Sequence, residues 1–156
     1  MSKLKYGVTD GIPQYTTEGT FLASDVISKK SGRYVVYDIS DGYWRAVNDG
    51  EAVVGGYIPE DATCSTTSVD KFSIATNVDQ FSTEMPYSFD GAAATLTQAV
   101  LNTLIGKLID IYVANNIQYA DNRTTVADSL FIVTGGSVAE NTLKVKVSSS
   151  KMGQTS

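Results

Sequence analysis

Histidine is missing from all 156 residues, and its absence removes Ser-His-Asp and Cys-His hydrolysis, histidine-ligated zinc and histidine acid–base work from consideration. Cysteine is nearly missing too. Cys64 is the single thiol, so no intramolecular disulfide and no cysteine metal cluster can form, and with no histidine to activate it the thiol is expected to be buried or idle. Basic residues are scarce: 12 Lys and Arg face 17 Asp and Glu, for a net charge of -5, which opposes any function that rests on neutralising phosphates. No nucleic-acid partner is expected. No apolar run approaches the roughly 20 residues that span a bilayer, and no apolar stretch follows the two lysines of "MSKLKYGVTDG". Neither a secretory signal nor a membrane partner is expected, and production in a cytosol is the default.

What is present suits a folded domain. Apolar residues make up 42% and charged residues only 19% of the chain, which argues against global disorder. A chain of this length buries about two thirds of its unfolded surface around a single core. Residues 1–30 show no sustained periodicity and are punctuated by Gly7, Gly11, Pro13 and Gly19. They read as an extended N-terminal arm with a short strand near Thr20 to Leu22, ordered by an outside surface or left as a solvated tail. Tyr6, Ile12, Tyr15 and Phe21 favour the clasp, because a purely solvating tail has little use for such residues.

From Arg33 the pattern is β. "RYVVYDI", the turn "SDG" and "YWRAV" predict a hairpin over Arg33 to Val47. Further strands are expected at Lys71 to Asn77 and Thr83 to Phe89, with Pro86 marking an edge or a bulge. In "TLTQAVLNTLIGKLI" the apolar residues Leu96, Val100 and Leu104 recur at helical spacing. Thr95 with Gln98 has capping-box spacing and Gly106 stands at a stop, so a helix is predicted over Thr95 to Ile105. The chain then returns to β, ending in the alternating "TLKVKV". Residues 149–156 read as a loose, flexible tail. The fold class expected is mainly β: a small β-sandwich or partly open β-barrel over 31–148, with one short α-helix, the N-terminal arm and an insertion or subdomain at 63–91.

The stretch "AVVGGYIPEDA" places Gly55 and Gly56 between apolar runs and stops them at Pro59. Glycine inside a strand pattern commonly lets the strand bend, and proline ends pairing. Carboxylates are the remaining catalytic material. Asp38, Asp41, Asp49, Glu51, Glu60 and Asp61 all lie in or beside turns, where turn chemistry outweighs both catalysis and calcium binding. No catalytic residue, metal or cofactor is expected. Trp44 with Tyr34, Tyr37, Tyr43 and Tyr57 offers rings that stack sugars, against the commoner use of strand aromatics in packing.

"SGRYVVYDISDGYWRAVNDGEAVVGGYIPEDA", followed by "LTQAVLNTLIGKLIDIYVANNIQYADNRTTVADSLFIVTGG" and "TLKVKV", resembles the capsid decoration, or cement, proteins of tailed bacteriophages. The resemblance covers about two thirds of the chain and is one of pattern and order. It implies a non-enzymatic structural virion protein in which Gly55 and Gly56 are architectural, bending a strand at the corner of a small barrel or sandwich, and Pro59 ends the pairing. Such a protein, made in the host cytoplasm, would bind the outer surface of an expanded capsid, bridge subunits of the major capsid protein and assemble as a homo-oligomer, with a trimer favoured. The arm, through Tyr6, Ile12, Tyr15 and Phe21, would be the capsid contact. The alternative is a fibre-base or adsorption module that binds a host surface glycan.

Overall fold

A computed structural model describes residues 8–21, 34–58, 71–115 and 117–155, together with the backbone of 26–27, 62–63 and 70. Tyr6, Pro59, Glu60, Asp61 and Cys64 lie outside these residues. The protein is mainly β and sandwich-like, with two main sheets and one short α-helix among the described residues. In chain order the strands are β1 (Val8–Gly11), β2 (Thr17–Phe21), β3 (Val26–Ile27), β4 (Tyr34–Asp38), β5 (Tyr43–Ala46), β6 (Gly56–Tyr57), β7 (Ala62–Thr63), β8 (Asp70–Ile74), β9 (Phe81–Phe89) and β10 (Ala92–Ala93). After the helix α1 (Gln98–Leu104) come β11 (Leu108–Ala114), β12 (Ile117–Asn122), β13 (Phe131–Ser137) and β14 (Thr142–Val147).

The larger sheet runs β1-β9-β12-β11-β13-β14, with β10 beside β9 and a further pairing of β9 with β14. That pairing joins the far strand back to β9, so the sheet closes on itself. The smaller sheet runs β6-β4-β5-β2-β8. Its ends also meet, through Tyr57 and Ala75, which exchange two backbone hydrogen bonds of 2.9 Å. β3 and β7 form a separate pair.

The predicted hairpin is present, with Val35 opposite Ala46 and Tyr37 opposite Trp44. Alternation along β4 explains how the two sheets share one protein. Tyr34 and Val36 enter a large core with Phe81, Met85, Leu143 and Val145 from the closed sheet, while Val35 enters a smaller core with Phe21, Ile58 and Ile74. A strand buried on both faces reads as a continuous apolar run, and "YVVY" does. The Tyr34 hydroxyl meets the Thr83 hydroxyl at 2.5 Å inside the large core, and burial pushes the phenol pKa far up. Tyr34 therefore stays neutral throughout the physiological range.

Several expectations change. The described part of the arm is built into both sheets: β1 pairs with β9 and β2 pairs with β8. The surface that orders it belongs to its own chain. Within 63–91, the described residues 70–91 are integral to the sheets: they supply β8 and the strand β9, which has partners on both edges. Pro86 lies inside that strand, opposite Thr142. Its missing N–H faces the edge where β1 has ended at Thr83 and β12 has not begun before Tyr87, so no ladder bond is lost. The helix starts later than predicted, with Thr97 as N-cap, its hydroxyl accepting from the Val100 N–H at 3.3 Å. Gly106 follows its end with φ +85°.

The C-terminal residues are held rather than loose. After a 3-10 turn at Ser149–Lys151, the Lys151 carbonyl accepts from the Val54 N–H (2.8 Å), Gly153 N–H donates to Val54 (3.0 Å) and Thr155 N–H donates to Tyr37 (2.9 Å). β6 covers only the first residues of β4, and the tail fills the rest of that edge. Backbone groups do this work, so polar side chains gave no sign of it.

Candidate functional site

Three places gather the residues singled out by the sequence. The first is the crossing from β1 to β2. Asn77 clamps this loop from 63 and 65 residues away: its side-chain oxygen accepts from the Gln14 N–H at 2.8 Å and its amide donates to the Ile12 carbonyl at 2.9 Å. Thr16 N–H also donates to the Gln14 carbonyl at 3.0 Å. Ile12 is 79% exposed and Tyr15 37% exposed. An aliphatic side chain held in water by a clamped backbone is the kind of feature that marks a contact surface. Phe21 does not belong with them. It is fully buried in the smaller core, edge-to-face with Phe72 at 5.4 Å, because alternation along β2 turns it inward.

The second place surrounds Trp44. Tyr34 and Tyr57 are fully buried, which removes them from any ligand, whereas Tyr37, Tyr43 and Trp44 are half-buried. Tyr37 and Trp44 stand edge-to-face at 5.7 Å. The glycine pair fits against this ring. A Cβ on Gly55 would lie 2.9 Å from the Gly153 carbonyl oxygen and 3.0 Å from Trp44 Cζ3, and one on Gly56 would collide with Ile74 Cγ2. Close approach, without any left-handed backbone, is what requires glycine at both positions.

The third place is a buried charge network that turn chemistry did not reveal. Asp110 on β11 and Asp121 on β12 are register partners and both are fully buried. Arg123 bridges them, at 3.2 Å to Asp110 and 2.5 Å to Asp121. The Asp110 carboxylate also accepts from the backbone N–H groups of Ala127 (2.7 Å), Asp128 (2.9 Å) and Ser129 (2.5 Å). Asp121 accepts from the Ser88 hydroxyl at 2.6 Å and from Gly91 N–H. The network fastens the loop between β12 and β13 to the strands beneath it. Every one of these oxygens serves a donor within the fold, an arrangement suited to holding structure rather than to proton transfer. A signal for it existed in "LIDIYV", where an aspartate interrupts an apolar strand pattern that otherwise excludes it.

The turn carboxylates also have partners. Ser40 donates to Asp38 through its hydroxyl (2.6 Å) and backbone (3.0 Å), and Arg45 lies between Asp38 and Glu51. The Ser40 hydroxyl, more than any other contact, holds the Asp38 carboxyl below its ordinary range. Asp41 accepts from Tyr43 N–H at 3.0 Å. Among the described residues no three acidic or thiol side chains form a metal-holding group, and no helix is long and apolar enough to cross a membrane.

Asp49 accepts from Val113 N–H at 2.8 Å, joining the turn after β5 to β11. Desolvation raises its pKa above the ordinary 3.8; the Val113 N–H and, less strongly, Arg123 pull the other way, and Asp121 and Asp128 add to the rise. A carboxyl whose folded pKa is raised favours the folded state less once it ionises, so its cost is present above that pKa and vanishes below the unfolded value. Asp49→Asn keeps an acceptor for Val113 and removes the charge. The variant is expected to be more stable by about 0.5 kcal/mol at neutral pH, with a gain that disappears as acidification passes through the carboxylate range. Urea titrations of both proteins at several pH values would read this, and a gain that grows with acidification would contradict it.

No protein-family model, curated protein or solved structure matches this chain. The geometry therefore has to carry the functional argument.

Proposed function

We propose that this protein is a non-enzymatic structural component of a phage virion, which binds the outer surface of an expanded capsid and stabilises it by bridging subunits of the major capsid protein. The observation that supports this most is the clamped loop. Asn77 spends both of its hydrogen-bonding groups on fixing the backbone at Ile12 and Gln14, and the side chain so presented, Ile12, is the most exposed large apolar one among the described residues. Preorganisation of this kind lowers the entropy lost on docking.

A bridge across neighbouring subunits binds the assembled shell and not the free subunit, so by linkage it stabilises only the assembled form. The net charge of -5 suits a face directed away from packaged nucleic acid. A closed homo-oligomer, with a trimer favoured, would place several clamped loops on one capsid position. No cofactor enters this reading.

The test is co-sedimentation with purified expanded and unexpanded phage heads. Because β1 and β2 are integral strands, deleting the first 20 residues would damage the fold, and a point substitution is the cleaner probe. Ile12→Asp is expected to leave the melting temperature nearly unchanged, since surface substitutions usually stay within about 0.5 kcal/mol. Binding to expanded heads should weaken about tenfold or more, the worth of burying an aliphatic side chain. Wild-type protein that pellets with neither form of head would overturn the proposal.

A further inference from the structure

We infer that the groove between Tyr37, Trp44 and the C-terminal residues is a binding site for an uncharged oligosaccharide. The two aromatic side chains line it, and Gly55 and Gly153 line it without side chains. Met152, Thr76 and Gln154 complete the lining. The volume is about 380 Å³, within the range of small-molecule clefts.

The chemistry selects the ligand. Aromatic faces attract the C–H faces of pyranose rings, and a hydroxyl and a carboxamide match sugar hydroxyls as donor and acceptor together. Neither the Thr76 nor the Gln154 side chain has a hydrogen-bond partner among the described residues, so both are free to serve a ligand. Among the described residues no charged side chain lines the groove, although the chain carries 29 of them, 12 basic and 17 acidic. That composition offers nothing to a phosphate, a sialic acid or an amine, each of which needs an opposite charge nearby.

The site is also built. Trp44 is held by bare glycine backbone: a Cβ on Gly19 would stand 2.8 Å from its Cδ1 and one on Gly55 3.0 Å from its Cζ3. The tail that supplies Met152 and Gln154 is tied by backbone bonds to Val54 and Tyr37. A rigid aromatic lining and a tethered polar one cost little to order on binding.

Trp44 is the only tryptophan, so emission excited at the red edge, where the nine tyrosines do not absorb, reports on the groove. The experiment titrates the whole chain with maltohexaose, cellohexaose and chitohexaose, follows emission and binding heat in parallel, and uses polysialic acid as the charged control. Saturable binding of at least one neutral hexamer, without binding of polysialic acid, is expected. Tyr37→Ala and Gln154→Ala should each weaken it about tenfold, and far-UV circular dichroism checks that they remain folded. No binding by any neutral hexamer, equal binding of polysialic acid, or unchanged affinity in both variants would overturn the inference. Ile12→Asp separates this site from capsid docking, since it should lose heads and keep the sugar.

Discussion

Asp110→Ala is expected to be the most damaging single substitution in this protein. The carboxylate is fully buried and receives four donors, the Arg123 guanidinium and the N–H groups of Ala127, Asp128 and Ser129. Alanine leaves three backbone donors without their acceptor and Arg123 with one carboxylate instead of two. Removing one member of a buried, hydrogen-bonded charge group costs about 3–5 kcal/mol, much more than the intact group contributes against an apolar replacement. At this chain length that amounts to roughly 10 °C in melting temperature. Asp128→Ala provides the control. Its contribution to the network is its backbone N–H, which alanine keeps, so its stability should stay within about 0.5 kcal/mol of wild type. Equal melting temperatures for Asp110→Ala and wild type would show that the loop after β12 is held by something else.

Gln118→Leu is the second. Gln118 projects from β12 of the larger sheet and is 2% exposed. It accepts from Tyr34 N–H at 2.8 Å and donates to the carbonyls of Tyr34 (2.8 Å) and Val47 (3.0 Å). One side chain thus completes the backbone hydrogen bonding of the smaller sheet's hairpin. The Tyr34 carbonyl has a second partner in Val47 N–H, so leucine would strand two groups, Tyr34 N–H and the Val47 carbonyl. Each buried unsatisfied group costs about 1–3 kcal/mol, and a loss of about 2–4 kcal/mol is expected. Chemical denaturation measures it. The midpoint should fall with little change in the slope, because the surface exposed on unfolding is nearly the same. A loss below 0.5 kcal/mol, the scatter of an ordinary surface change, would mean that water replaces the amide.

Both residues show where sequence reading stops. Asp110 and Gln118 are polar positions in apolar strands, and period-2 alternation places them on a face without saying what covers that face. The cover comes from the loop at 124–130 in one case and from a strand 84 residues earlier in the other. The same limit applied to the C-terminal tail and to Asn77, whose contacts with distant backbone carry no pattern along the chain. Phe21 failed differently. Its apolar character was read as available for a partner, when alternation along Thr17–Phe21 could have placed it in a core.

The residues of the β4–β5 hairpin, the apolar spacing of α1 and the turn chemistry around Asp38 and Asp41 settled their own local structure. Neighbours in sequence are neighbours in space there, and propensity, turns and alternation all act over a few residues. The absence of histidine and the single cysteine likewise fixed which chemistries were open. Tertiary structure decided the rest: that β9 joins both ends of a closed sheet, that the N-terminal segment belongs to two sheets, that Arg123 finds two buried carboxylates, and that Gly55 and Gly56 exist to admit Trp44 and Ile74. Each depends on contacts between residues tens of positions apart, whose formation is set by the sum of burial and hydrogen bonding over the whole fold.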